Sequence, residues 1–327
     1  MNKANKPTNT ISPWPHRLAW VLVCAVFPLI WLGSTVTTYS AGMAVPDWPG
    51  TYGHWIWYPV DLWFGVWDLF LEHGHRLLAR SVGLITITLA VVLWRQDPRR
   101  WMRKLAMLAV AGVVFQGTLG GIRVLWTSDW LAKVHGCTAP LFFALCAVLV
   151  TLTSQAWWQL DASKQHPAAR HLHRLTVGST VAVYLLIVLG AQLRHLAPGE
   201  SPGWFELWVW LKLMLAGLTL ATLVWLVVFV RRQLRDETAL RRRATLLASL
   251  FFVQLILGAA TWVTNYEWPA WFTNYVWAVE YRVVAEGRLQ VIFTTAHTAV
   301  GSLVLVAALS LTIWSFRLLR AASGSQK

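Results

Sequence analysis

The chain has 327 residues, of which 57% are hydrophobic and only 13% are charged, and its mean hydropathy is +0.51. Soluble globular proteins carry about 25% charged residues, so this composition excludes a soluble fold as well as a disordered or collagen-like chain. Three cysteines are too few for a disulfide scaffold. The net charge of +14 would suit a nucleic-acid-binding protein, but most basic residues lie between apolar segments, so we expect no nucleic-acid partner. A multi-pass membrane protein remains.

Eight apolar segments follow one another along the chain, each close to the length of about 20 residues that a bilayer-crossing helix requires. They cover residues 18–36, 75–94, 105–124, 136–153, 175–193, 207–229, 244–263 and 291–313. The first segment follows the polar stretch Pro15-His16-Arg17 and precedes no small-residue cleavage site, so we predict an uncleaved helix. The sequence therefore predicts an all-α integral membrane protein with eight transmembrane helices.

Lysine and arginine are concentrated in alternate connections between these spans. The basic segments are the two tails and the connections between spans two and three, four and five, and six and seven, whereas residues 40–60 contain neither residue type. The positive-inside rule then places both termini in the cytoplasm, and we expect a bacterial cytoplasmic (inner) membrane. Attraction to anionic lipid accounts for the basic loops, so the lipid bilayer is the expected partner there.

Many of the 23 tryptophans fall in the outer loops or at the ends of spans. Aromatic rings at such positions anchor a protein at the membrane–water interface. The expected members of this belt are Trp48, Trp55, Trp57, Trp63, Trp204, Trp208, Trp268 and Trp271.

The second half of the chain repeats features of the first half. The aligned pairs are Gly33 with Gly190, Gln116 with Gln254, Gly120 with Gly258 and His135 with His297, and Glu72-x-x-His75 aligns with Glu206-x-x-Val209. We predict two tandem four-helix bundles, residues 1–155 and 156–327. Because each repeat holds an even number of spans, a pseudo-two-fold axis along the membrane normal would relate them.

Three histidines fall at one depth near the outer face. His75 and His297 each precede by 20 residues the arginine that ends their span, and His135 occupies a similar position in the fourth span. Ionisable residues inside spans are functional candidates. Two imidazoles facing each other across a bundle, as His75 and His135 could, suit the axial positions of haem iron. The alternatives are helix–helix hydrogen bonds and a zinc site, which wants three protein ligands in a compact cluster.

Glu72 lies one helical turn before His75 and shares its face of the helix. The carboxylate could act as a general acid or base, orient the imidazole, or form an ion pair with Arg76. Arg76 and Arg80 could bind haem propionates bidentately, or could instead pair with acidic residues on the same helix.

These residues resemble the heme A synthase family. The features that match are the motif Glu72-His73-Gly74-His75-Arg76, a histidine at the start of the fourth span, and Pro46-Asp47-Trp48-Pro49 in the first outer loop. The resemblance implies oxidation of haem O to haem A, in which successive hydroxylations convert the C8 methyl group to a formyl group. It implies that the porphyrin lies between His75 and His135, and that Glu72 is needed for turnover.

The resemblance also implies a role in terminal-oxidase maturation, with haem O synthase and oxidase assembly factors as expected partners; a homo-oligomer is compatible with the sequence. In the family, a haem b lies in the C-terminal half between histidines of the sixth and eighth spans. His297 is present here as a metal ligand candidate, but Val209 stands at the sixth-span position. His195 is a spare histidine, and Lys212 is expected to snorkel or pair with a partner.

Two further departures concern the loops. Cys24, Cys137 and Cys146 lie within spans or at their ends, so an outer-loop disulfide is not expected. The segment 265–290 is long and rich in aromatic residues, and a lid is one interpretation of it.

Other functions stay open at this point. The missing sixth-span histidine favours a non-catalytic haem-binding paralogue, either an electron-transfer cytochrome or a haem carrier. A transporter whose histidines pack or relay protons is a second alternative. A prenyl transferase that makes haem O is a weaker candidate, because the sequence lacks paired Asp-rich motifs for magnesium diphosphate.

Overall fold

The computed structural model describes residues 12–55, 57–160, 163–195, 201–277 and 281–321. Within these ranges, eight helices are long and apolar enough to cross a membrane. They are α1 (Trp14–Thr38), α2 (Trp67–Gln96), α3 (Arg100–Leu125), α4 (Asp129–Thr153), α5 (Ala169–Arg194), α6 (Pro202–Gln233), α7 (Thr238–Tyr266) and α8 (Arg288–Leu318). The prediction of an all-α membrane protein with eight spans is confirmed. Every helix is longer than its apolar segment, since backbone hydrogen bonding continues into the polar residues at the span ends.

Local sequence signals fix several helix starts. Ser128 caps α4, where its hydroxyl accepts a hydrogen bond from the Leu131 amide at 3.3 Å. Such a cap satisfies one of the amides that the first turn leaves unpaired. Pro202 occupies the first position of α6, where its missing N–H and fixed φ are tolerated.

The helices pack in the same order in both halves of the chain. Along α1 to α4, each helix contacts the next and α4 returns to α1; α5 to α8 repeat this ring. Two apolar cores accompany the rings, one around Leu22, Phe143 and Leu149 and the other around Leu223 and Leu311. Tandem four-helix bundles related by an axis along the membrane normal stay a prediction, which this packing order supports.

The two rings meet mainly through α1, α4, α5 and α8, since α8 contacts α1 and α4, and α4 contacts α5. Arg194, at the end of α5, links three of these helices. Its guanidinium donates to the Ser34 carbonyl at 2.6 Å and to the hydroxyls of Thr38 and Thr298 at 2.8 and 2.9 Å. Three acceptors around one cation fix the ends of α1, α5 and α8 relative to one another.

Two short strands were not predicted from the sequence. Strand β1 (Lys164–His166) pairs in parallel with β2 (Leu319–Ala321), with Lys164 opposite Leu319. Strands of three residues leave no alternating hydrophobic pattern long enough to detect. Their pairing attaches the connection before α5 to the end of α8.

Candidate functional site

Each of the three predicted histidines lies against a glycine of the preceding helix. A methyl group at Gly33 of α1 would stand 2.9 Å from Cε1 of His75, and one at Gly120 of α3 would stand 3.3 Å from Cε1 of His135. In the other half, Gly258 of α7 has the same relation to His297, at 3.1 Å. The repeated glycines are explained by this close approach, because any larger residue would push the ring away.

The three rings also share their polar surroundings. Nδ1 of His75, of His135 and of His297 is buried and has no hydrogen-bond partner among the described residues. A backbone group of the preceding helix interacts with each ring, and its residue lies one turn before the glycine. The residue is Leu29 for His75, Gln116 for His135 and Gln254 for His297. A backbone carbonyl that accepts from one ring nitrogen fixes the tautomer and leaves the other nitrogen with the free lone pair. Each histidine keeps some exposed surface although its Nδ1 is buried.

His75 and His135 lie within electrostatic range of each other, and Arg123 lies within range of both. From the starts of α2 and α4, which point the same way, the two histidines are about 12 and 9 Å along the helices. The predicted common depth is therefore supported by the helix bounds. His297 occupies the corresponding place in the second ring of helices.

The connection between α1 and α2, residues 39–66, folds over this end of the N-terminal half; we call it the capping loop. Arg76 holds it in place by donating to the backbone carbonyls of Asp47 at 2.6 Å, Gly50 at 2.7 Å and Val45 at 2.8 Å. Its fourth bond, at 2.7 Å, goes to Glu72. The sequence alternative of an ion pair between Glu72 and Arg76 is confirmed. All four terminal N–H groups of Arg76 are engaged in these bonds.

Glu72 is almost fully buried, with 3% of its surface exposed. One carboxylate oxygen accepts from Arg76, and the other accepts from the Val45 amide at 3.2 Å. The bond from Val45 connects α2 directly to the capping loop, and the bond from Arg76, within α2, holds the guanidinium that binds the loop. Arg123 also lies within electrostatic range of this carboxylate.

The capping loop has internal contacts of its own. Asp47 accepts hydrogen bonds from the amides of Tyr52 at 2.8 Å and Gly53 at 2.9 Å. Slight burial raises the pKa of Asp47, but those amides and nearby Arg76 outweigh it, so its pKa lies below the usual value. Trp48, expected in the interfacial belt, packs its indole directly on Gly121 of α3, where a methyl group would be 2.2 Å from the ring.

His73 is a contact residue that the sequence did not single out. It is 1% exposed and its Nδ1 lies 2.9 Å from the Thr51 hydroxyl. Its ring packs against Trp63 with centroids 4.8 Å apart. A histidine pointing away from His75 within the same motif gives no separate sequence signal, since its partners lie in a loop without regular periodicity.

Two cations in this region carry unused donors. Arg80 donates to the Pro49 carbonyl at 2.5 Å, while its other terminal nitrogen is buried without a partner among the described residues. Arg123, near the end of α3, lies against Gly42 of the capping loop. Its Nε is buried and has no hydrogen-bond partner among the described residues. Sequence reasoning missed Arg123, because one arginine near a span end is indistinguishable from a topology signal.

The sixth-span position aligned with His75 is Val209, which is partly buried. Lys212, one turn further, makes no hydrogen bond or ion pair among the described residues, and snorkelling stays a prediction. Its Nζ lies beside Gly190 of α5, 3.4 Å from where a methyl group would stand. His195, the spare histidine, lies within electrostatic range of His135 rather than beside His297.

Burial, followed by the charges of Arg194, Arg123 and Lys133, lowers the pKa of His195 to about 4. This side chain lies just beyond the end of α5. It is therefore neutral at physiological pH, at the edge of the site that holds His135.

The remaining sequence candidates have these positions. In the described ranges, no three His, Cys, Asp or Glu side chains cluster closely enough to hold a metal ion by themselves. Cys24, Cys137 and Cys146 are free thiols. In the segment 265–290, Asn265 and Gln290 hydrogen-bond to each other at 2.8 Å and so join its two ends. It contains a short helix (Ala270–Tyr275), and residues 278–280 lie outside the described residues; a lid stays a prediction.

Comparison with known proteins fits the placement of these residues. The sequence model of the COX15-CtaA family, described as cytochrome oxidase assembly protein, matches residues 16–202. A heme A synthase of Exiguobacterium is 26% identical over 243 residues, which are 71% of this chain and 77% of that protein. One from Staphylococcus haemolyticus is 24% identical over 76% of this chain and 86% of its own length.

A protoheme IX farnesyltransferase of Halobacterium salinarum is 30% identical over 137 residues, but these are only 42% of this chain and 28% of that protein. The family match, in contrast, covers more than half of the chain and contains Glu72, His75 and His135. The chain is a multi-pass membrane protein that belongs to the COX15-CtaA family of cytochrome oxidase assembly proteins.

Proposed function

We propose that this protein is a heme A synthase that binds haem O in its N-terminal half and oxidises the C8 methyl group to a formyl group by successive hydroxylation. The observation that carries the proposal is the pair His75 and His135. Each is backed by a glycine, has a backbone group of the preceding helix acting on its ring, and lies within electrostatic range of the other. Relatives named heme A synthase match most of the chain.

The residues around the pair fit a porphyrin substrate. His75 and His135 would bind the iron through a ring nitrogen lone pair. Arg80 and Arg123 would bind the propionates through their unused N–H groups. Arg76, expected from the sequence to share that task, would instead hold the capping loop over the site, because its four terminal N–H groups are engaged.

Glu72 is the carboxylate that we assign to turnover. Conversion of a methyl group to a formyl group requires proton transfers, and Glu72 is a buried carboxylate one turn from His75 that would exchange a proton there. Its bonds to Arg76 and the Val45 amide also make it part of the link between α2 and the capping loop. Both tasks require an ionised carboxylate at this position.

The proposal also includes the setting of the reaction. We place the protein in a bacterial cytoplasmic membrane with both termini in the cytoplasm, as the basic loops favour. The capping loop and the histidines then lie at the outer face. Haem O synthase would supply the substrate, and terminal-oxidase assembly would consume the product.

The test is expression in a host that makes haem O but not haem A, followed by pigment extraction and chromatography. We expect haem A from the wild type, and unmodified haem O still bound to Glu72→Gln. Glu206→Gln is the matched control, because Glu206 is the aligned, exposed glutamate of the other half and should leave conversion intact. A folded wild type that yields only haem O would refute the proposal.

The second candidate function is a haem carrier or electron-transfer cytochrome, and Val209 in place of a histidine favours it. A carrier would be indifferent to Glu72→Gln in both haem binding and haem composition. The same extraction therefore separates the two functions.

A further inference from the structure

Four glycines occupy equivalent places in the two rings of helices, and each has a nitrogen-bearing side chain from the next helix against it. Three of these side chains are the histidines beside Gly33, Gly120 and Gly258. The fourth is Lys212, whose Nζ is the nearest atom to a methyl group built on Gly190, at 3.4 Å. In the alignment of the halves, Gly190 corresponds to Gly33. The amine therefore occupies the place that the His75 imidazole occupies in the N-terminal half.

The geometry of a helix explains how a residue three positions after Val209 can reach this place. Side chains tilt towards the amino terminus of their helix, so a long side chain covers the turn before its own Cα. Lysine is longer than histidine, and Lys212 thus brings its nitrogen back to the level of Val209. Lys212 also precedes Arg232 by 20 residues, the spacing of His75 from Arg95 and of His297 from Arg317.

Lys212 has no competing interaction in the described part of the chain. No hydrogen bond or ion pair reaches its Nζ there, and Glu206 on the same helix is exposed. An unpaired ammonium ion between membrane helices is costly, and such groups generally have a partner or a function. Binding of the neutral amine to a metal removes that charge and uses its lone pair.

His297 is the complementary group across the second ring. Its Nδ1 is buried without a partner in the described ranges, and Lys212 lies within electrostatic range of it. The Gln254 amide donates to the His297 carbonyl at 2.9 Å and lies 3.4 Å from Nε2, which is too long for a strong hydrogen bond. The nitrogen lone pair of His297 is thus available to bind a metal ion, which would be a stronger interaction than the contact with Gln254.

We propose that Lys212 replaces the missing histidine, so that its amine and the His297 imidazole are the two axial ligands of a haem in the C-terminal half. The inference rests on the proposed function only in taking this chain to handle haem. A primary amine and an imidazole are both nitrogen donors, so the iron would be six-coordinate and low-spin.

The test uses the full chain purified from haem-replete cells, with His75→Ala and His135→Ala combined to empty the N-terminal site. The measurements are haem per chain, the absorption spectrum and the electron paramagnetic resonance spectrum of the ferric protein. We expect one low-spin haem in this background. Adding Lys212→Leu should convert it to a high-spin, five-coordinate haem or lower its occupancy at least tenfold. Combining Lys212→Leu with Val209→His, which puts an imidazole at the position aligned with His75, should restore a low-spin, bis-imidazole spectrum.

Val209→Ala is the matched control on the same helix, and it should leave the spectrum unchanged. A haem-free double variant that is folded, or an unaltered low-spin spectrum after Lys212→Leu, would overturn the assignment. Should the double variant fail to fold, Lys212→Leu alone is compared with the wild type by haem stoichiometry. We expect Lys212→Leu to lose half of the low-spin signal, and an unchanged signal would overturn the assignment.

The same preparations distinguish this inference from the proposed function. Haem A formation by the wild type together with an unresponsive Lys212 would remove the ligand assignment alone. A lysine-dependent low-spin haem in a wild type that makes no haem A would remove the synthase function and leave the ligand assignment standing.

Discussion

The two halves of the chain differ in what they place on the same helical positions. The N-terminal half has a histidine against the glycine of both helix pairs, at His75 and His135, whereas the C-terminal half combines Lys212 with His297. The family match ends at residue 202, the first residue of α6, so it does not include Val209 or Lys212. The glycines therefore recur in both halves, whereas the side chain facing one of them differs, since Gly33 faces His75 and Gly190 faces Lys212.

The halves also differ in how their outer ends are covered. The connection between α1 and α2 spans residues 39–66 and is bound by Arg76, while α5 and α6 are joined by residues 195–201 only. The longer connection of the C-terminal half is instead the one between α7 and α8. Among the described residues, a buried ion pair of a glutamate and an arginine with a loop bound to it is present in the N-terminal half, at Glu72 and Arg76, which is where we place the chemistry.

The largest expected effect comes from the histidines of the N-terminal half. His75→Ala or His135→Ala should abolish haem A formation, because neither substitution leaves a nitrogen to bind the iron. His297→Ala should remove haem from the C-terminal half and leave haem O bound in the N-terminal half. Extracted haem per chain and its composition are the measurements.

His171→Ala is the control for these variants, since His171 is exposed and lies near the start of α5, away from Gly33 and Gly120. Normal haem A yield from a His75→Ala chain would contradict the proposed site.

The second effect concerns the glycines behind the rings. Gly33→Ala should move His75 and lower haem O affinity, since the added methyl group would lie 2.9 Å from Cε1. Overpacking of this kind costs about 1–3 kcal/mol, or roughly 5- to 150-fold in affinity. Gly117→Ala is the matched control, because nothing lies within 4 Å of that position. Titration of the purified variants with haem measures the difference, and equal affinities for both would show that the close approach is unimportant.

The sequence was sufficient for the eight spans, because hydropathy is regular along a helix. Its spacing also indicated His75, His135 and His297, which the structure sets against equivalent glycines, and their function stays a prediction. It was insufficient for the functions of Arg76 and Arg123. The acceptors of Arg76 are backbone carbonyls of a loop, and such partners have no residue-type signature. The contact of Lys212 with Gly190 was not predicted, since alignment by residue number ignores the reach and tilt of a long side chain.

The third effect is that of Arg123, which has no counterpart on α7 because Thr261 stands at the aligned position. Arg123→Gln should weaken haem O binding about tenfold, since a charge-assisted bond to a propionate is worth about 1.5 kcal/mol or more. Arg100→Gln, at the opposite end of α3, is the control. The haem dimethyl ester, which has no carboxylates, should bind the wild type and Arg123→Gln equally; a tenfold difference that persists with the ester would assign Arg123 a purely structural task.

The smallest effect is a pH dependence at the contact between the halves. The pKa of His195 is about 4 in the folded protein, below its ordinary value of 6.5, so the folded state binds fewer protons between these two values. The stability associated with neutral His195 is therefore fully present above pH 6.5 and is lost as the pH falls towards 4. His195→Gln should reduce the fall in Tm over this interval, whereas His171→Gln should not. If both variants lose stability as steeply as the wild type, the acid sensitivity of this contact resides in other groups.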